Sequence, residues 1–173
     1  MFMSGSIADL LVVRGAPGVG KSSAVSRVRR VGGVGAVVEV DSLRGMIAKV
    51  EWTDKAHHML ALEHARLVAD SFLARGFRPV VVVDTLGCAR LDAWLPTLSA
   101  SYRIVTLFAE PAVLIARIAS RPEGQFKDLP PCLILNAEME RRRYPNERKV
   151  DTTSLTPDDV ASMLLAELGG GMP

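Results

Sequence analysis

Only two cysteines occur in the 173 residues, Cys88 and Cys132, and no C-x-x-C spacing joins them. That argues against a disulfide framework or a zinc site and fits reduced thiols in a cytoplasmic protein. No apolar run approaches the roughly 18 residues of a membrane helix. The opening "MFMSGSIADLLVV" lacks a basic leader region, so it does not read as a signal peptide. Charge of one sign is also missing. Against 21 basic side chains stand 19 acidic ones, a net of +2, which gives no electrostatic case for nucleic acid or membrane as the main partner. Internal repeats, low-complexity segments and linkers are absent. Residues 1–168 therefore read as one domain, and "GGGMP" (169–173) reads as a flexible tail.

What is present is an alternation. Short Val- and Ile-rich runs at 10–13, 36–40, 79–83, 103–109 and 148–150 are separated by longer helical patterns at 21–30, 54–75, 89–100, 111–121, 131–143 and 157–168. Several strand runs are continuously apolar, as expected for strands covered on both faces. This order predicts an α/β fold, a parallel sheet with helices on both faces, and ligands at the C-terminal edge of its strands.

The first strand runs into "GAPGVGKS", Gly15 to Ser22, which fits G-x-x-x-x-G-K-[S/T] at every fixed position. Gly15, Ala16, Pro17, Gly18, Val19, Gly20, Lys21, Ser22 and Ser23 are the candidate ATP-binding residues. Glycines let backbone N–H groups converge on an anion, and the following helix adds its positive end. Lys21 reaches the β and γ phosphates, and the Ser22 hydroxyl sits on Mg²⁺.

GTPases, motor ATPases and small kinases share such a loop, so the other strand ends decide. No N/T-K-x-D guanine motif follows the later strands. The third strand, "PVVVVDTLG", ends in Asp84 followed by Thr85, where a motor ATPase usually carries a water-polarising acid. The second strand runs into "DSLR". Asp41 is placed to accept the proton of a substrate hydroxyl attacking the γ-phosphate, and Arg44 to hold a polar or anionic group of the acceptor. The bland alternative makes Asp41 an N-cap and Arg44 a solvated side chain. Asp84 reads as a metal-supporting or acceptor-positioning carboxylate.

Arg117 and Arg121 share a helix face ahead of a Pro- and Gly-containing stretch. The two are alternative lid arginines that neutralise charge during transfer, with a lid at about 121–131. Arg141, Arg142 and Arg143 read as a solvated helix end. His57, His58 and His64 form no ligand pattern and read as ordinary surface or groove residues. Trp52, Trp94 and Phe126 are either pocket aromatics or core.

These motifs, with "RIASR" and the late "VDTTSLTPDDVA", resemble small P-loop kinases. That group includes polynucleotide kinases, chloramphenicol phosphotransferase, zeta-toxin-type kinases and gluconate kinases. The resemblance spans about residues 10–168. It implies a three-layer fold with five parallel strands in the order 2-3-1-4-5. It implies Lys21 and Ser22 on phosphate and Mg²⁺, Asp41 as base, Arg44 on the acceptor, and Asp84 on metal or acceptor. Arg121, or alternatively Arg117, becomes the lid arginine, and residues 151–157 lie near the adenine. ATP and Mg²⁺ are the implied cofactors. The apolar set Met46, Ile47, Val50, Trp52 and Met59 suits a small hydroxylated acceptor with an apolar body. The alternatives are a polynucleotide 5′-hydroxyl kinase and a nucleotide switch with little transfer.

Overall fold

Valine-rich runs become the strands of one parallel sheet. In chain order these are β1 (Leu10–Gly15), β2 (Ala36–Glu39), β3 (Val80–Asp84), β4 (Tyr102–Phe108) and β5 (Glu147–Asp151). Their spatial order is β2-β3-β1-β4-β5, as the resemblance implies. The fold is described from a computed structural model covering residues 8–124 and 126–168. The 169–173 tail expected from the sequence lies outside these residues.

Side chains alternate across the sheet. Leu11, Val13, Val81, Val83, Val105 and Leu107 face a core with α1 (Lys21–Val31), α5 (Pro111–Ala119), α6 (Leu129–Arg141) and α7 (Pro157–Glu167). Leu10, Val12, Val38, Val80, Val82 and Ile104 face the other core, built on α3 (Lys55–Ala74) and α4 (Cys88–Trp94). The result is three layers. Every residue of β3 is buried, which explains why its pattern is continuous rather than alternating.

Element ends follow local chemistry. Thr156 and Asp159 form a capping box at the start of α7. The helix expected over 89–100 stops at Trp94 and tightens into a 3₁₀ turn, Leu95–Thr97, where Pro96 has no N–H to continue it. α6 starts at Leu129, with Pro130 and Pro131 in its first turn, where a missing N–H costs nothing. The irregular stretch between α5 and α6 is thereby shorter than the expected 121–131 lid. A short helix, α2 (Val40–Arg44), begins right after β2 and carries Asp41.

One strand residue escapes the apolar rule. Arg14, fully buried in β1, donates from Nε to Thr106 Oγ1 (2.7 Å) and from Nη1 to Leu86 O (3.2 Å). Its Nη2 pairs with the buried Glu147 carboxylate at 3.0 Å, and its guanidinium lies 4.9 Å from the Tyr144 ring centre. These contacts join β1 to the edge strand β5 across β4. Among the described residues, no helix is long and apolar enough to cross a membrane.

Candidate active site

The loop after β1 stands where the chain order reverses, between β3 and β4, the usual crevice of an open α/β sheet. Its glycines are forced. A Cβ at Gly15 would lie 2.6 Å from Leu107 O, and Gly20 caps α1 at φ +100°. α1 has no side-chain cap, which leaves its first-turn N–H groups for an anion. The Lys21 ammonium folds back on the loop, donating to Gly15 O (2.7 Å) and Ala16 O (3.1 Å). Burial lowers its pKa from 10.5 to about 8, with Arg121 pushing the same way and Asp84 and Asp41 opposing.

Two cavities meet at this lysine. One, about 600 Å³, is lined by residues 18–23, Arg117, Arg121, Thr152, Leu155 and Pro157. The other, about 860 Å³, is lined by Asp41, Arg44, Trp52, His58, Asp84 and Phe126, among others. Lys21, Ser22 and Arg121 border both.

In the first cavity, the segment after β5 is tied down by Arg117. Its Nη2 donates to Thr152 O (2.7 Å), and its Nη1 to Thr152 Oγ1 (3.2 Å). Thr152 Oγ1 in turn donates to Val19 O at 3.0 Å, so this segment and the glycine loop are one piece. Arg121 donates to Phe126 O (3.0 Å), within the stretch between α5 and α6. α6 is anchored separately, where the Asn136 amide bonds both Ala109 N and O.

The second cavity contains the expected carboxylates. Asp41 is exposed on the open side of the cleft. Desolvation by the cleft wall, followed by the charge of Asp84, raises its pKa, with Lys21, His58 and Arg44 opposing. Asp84 is buried, its Oδ2 lies 2.6 Å from His58 Nε2, and its Oδ1 has no partner among the described residues. Arg44 is also buried. Its Nη2 donates to Glu51 O (3.0 Å), Trp52 O (2.6 Å) and Asp54 O (2.9 Å), and its guanidinium lies 5.1 Å from the Trp52 ring centre. It thus fixes the loop after α2 and the entry to α3, and its buried Nε has no partner.

Other side chains separate cleanly. Trp94 is core, donating from Nε1 to Leu62 O (2.9 Å), whereas Trp52 and Phe126 are half-exposed on the cleft. Of the apolar set, Trp52 lines the cleft, Met46 is exposed, and Met59 lines a separate groove between α3 and α4. Arg142 pairs with Asp92 at 2.9 Å, away from both cavities. His58 is a correction: not a surface or ordinary groove residue, it is buried against Asp84. A chain separation of 26 residues gave no sequence signal for the pair.

Among the described residues, no group of three or more His, Cys, Asp or Glu side chains could hold a metal by itself. The Ser22 hydroxyl and the unpartnered Asp84 oxygen are hard donors suited to Mg²⁺, which takes few protein ligands and fills the rest with phosphate and water. The donor set fits a metal that arrives with the nucleotide.

Residues 10–132 match a family model, AAA_33, described as an AAA domain. The chain belongs to this family, and its fold is that of small P-loop kinases. Solved structures carry the same fold over nearly the whole chain. A sugar kinase from Janibacter sp. HTCC2649 is 17% identical, with a TM-score of 0.70 over 94% of this chain and 95% of that one. A gluconokinase from Sinorhizobium meliloti 1021 is 24% identical, with a TM-score of 0.61 over 94% and 93%. The APS kinase of Mycobacterium tuberculosis, solved with AMPPNP and APS, is 17% identical, with a TM-score of 0.67 over 94% and 98%. No curated protein matches the chain.

Proposed function

We propose that the protein transfers the γ-phosphate of ATP to a hydroxyl of a small-molecule acceptor. The observation that carries this reading is the meeting of two cavities at Lys21, Ser22 and Arg121. A nucleotide lying along the first cavity, between the loop and residues 152–157, ends its phosphates at these three side chains. An acceptor in the second cavity then approaches the γ-phosphate from the Asp41 side.

The chemistry divides among the residues. Loop N–H groups and Lys21 hold the β and γ phosphates. Asp41 takes the proton of the attacking hydroxyl, and the elevation of its pKa improves it as a base. The acceptor oxygen bonds to the γ-phosphorus as the bond to the β–γ bridging oxygen breaks, and ADP leaves. Arg121 neutralises charge on the transferring group. Ser22 and Asp84 would hold Mg²⁺, which when bound supplies charge neutralisation between the phosphates. Arg44 shapes the acceptor wall, with Trp52 above it and Phe126 bordering the same cavity. Two half-exposed aromatics suit an acceptor with an apolar or ring-shaped body.

The test is incubation with γ-labelled ATP, Mg²⁺ and a panel of sugars, nucleosides, antibiotics, nucleotide sugars and a 5′-hydroxyl oligonucleotide, with Asp41→Asn alongside. Label on a small acceptor that is lost in the variant supports the reading. Label on the oligonucleotide alone replaces the acceptor class. Tight nucleotide binding without any transfer replaces the enzyme with a switch.

A further inference from the structure

The reading above gives no task to His58, although it borders the acceptor cavity and is buried, only 4% exposed. It stands in the first turn of α3, where its N–H bonds Asp54 O. Asp54 O also accepts from Arg44 Nη2 (2.9 Å), and the Asp54 side chain caps the helix through Ala56 N (2.6 Å). The imidazole is therefore held on a fixed turn. From there Nε2 meets Asp84 Oδ2 at 2.6 Å, with both side chains almost fully buried.

The consequence lies with Lys21. Lys21 and Asp84 line the same cavity, and the carboxylate charge favours the Lys21 ammonium. Yet among the described residues Lys21 forms no ion pair with Asp84, and its ammonium rests on the Gly15 and Ala16 carbonyls. A carboxylate on a free terminal torsion samples broadly and is two-fold in its oxygens. Unrestrained beside a buried ammonium, it would close on it, because an ion pair gains strength where water is excluded. The contact with His58 removes that freedom. It occupies Oδ2 and leaves Oδ1 with unmet acceptor capacity in a desolvated place, a costly state unless something entering the site supplies a donor or a cation.

We propose that His58 is a positioning residue, clamping the Asp84 carboxylate away from Lys21 so that the lysine stays available for phosphate and Oδ1 for the Mg²⁺–nucleotide complex. This rests on the phosphotransfer reading for its purpose, but its test needs nucleotide binding alone.

The experiment measures Kd for AMPPNP with and without Mg²⁺ by calorimetry on the full chain. It compares wild type, His58→Gln, His58→Leu and His58→Asn, each also in an Asp84→Asn background. Glutamine carries a donor to roughly the position of Nε2, whereas asparagine is too short and leucine has none. Losing a contact of this kind beside a metal site costs about 10–100-fold. The expected result is a loss of that size in Mg²⁺-dependent affinity for His58→Leu, with His58→Gln close to wild type. In the Asp84→Asn background His58→Leu should have no further effect. Thermal unfolding of each apo protein separates misfolding from mispositioning. If His58→Leu does not fold, His58→Asn carries the comparison against His58→Gln. Wild-type affinity in the donorless variants, equal losses in glutamine and leucine, or losses that simply add to that of Asp84→Asn would each overturn the proposal. A wild-type chain that binds no AMPPNP overturns the nucleotide reading itself, which is a distinguishable outcome.

Discussion

Arg117 and Arg121 stand four residues apart, but only Arg121 borders both cavities, while Arg117 is bonded to Thr152 O at 2.7 Å and faces the first alone. This geometry divides the roles that the sequence leaves open. Arg117→Ala should loosen residues 152–153 and weaken AMPPNP binding several-fold, with a small loss of stability from its vanished hydrogen bonds, about 1 kcal/mol. Arg121→Ala should leave nucleotide affinity near wild type and cut transfer by about 10²-fold or more, the scale of losing one transition-state donor. Binding calorimetry beside single-turnover transfer reads both. The reverse pattern would exchange the two assignments.

The depressed Lys21 pKa, about 8 against an ordinary 10.5, has a definite sign. Between those values the unfolded chain keeps a proton that the folded, ligand-free chain has released, so apo stability should rise with pH through that window. Phosphate favours the ammonium. Nucleotide affinity should therefore fall as pH climbs through about 8, and binding near pH 9 should take up about one proton. Calorimetry in two buffers of different ionisation enthalpy counts that proton. Proton release, or none exchanged, would refute the assignment.

Asp41→Asn keeps the shape of the cleft wall and removes the base. Transfer should drop by about 10²–10⁴-fold while AMPPNP affinity changes little. A drop of only a few-fold would reduce Asp41 to a first-turn residue of α2.

The buried Arg14–Glu147 pair predicts a stability effect remote from catalysis. Glu147→Gln leaves the guanidinium charged in a dry place and should cost about 3–5 kcal/mol. Replacing both partners with apolar residues of similar volume should cost far less, because no charge is then stranded. Urea unfolding of the single and double variants measures the difference, and equal losses would contradict the ion-pair account.

The phosphate loop was legible because all its determinants are consecutive, and the strands because valine runs need no long-range information. Asp41 and Asp84 could be singled out as polar residues ending apolar strands. The contacts of His58 and Arg14 could not, since each depends on partners brought near only by the fold: Asp84 in one case, Thr106 and Glu147 in the other. Arg44 was legible as a residue following β2 at the cleft but not as a binder of loop carbonyls, because the loop it fixes has no pattern of its own. Trp52 and Trp94 look alike in sequence, and only packing sends one to the rim and the other to the core.

The Arg14–Glu147 contact also draws a boundary through the molecule. It binds β1, β4 and β5, the strands that carry the glycine loop and the 152–157 segment, into one block. One wall of the second cavity hangs instead from β2, α2 and the first turn of α3, held by the grip of Arg44 on residues 51–54. On the phosphotransfer reading, the chain is a constant engine joined to an exchangeable jaw: residues 45–53 would set which alcohol enters, while the block around the glycine loop keeps its shape.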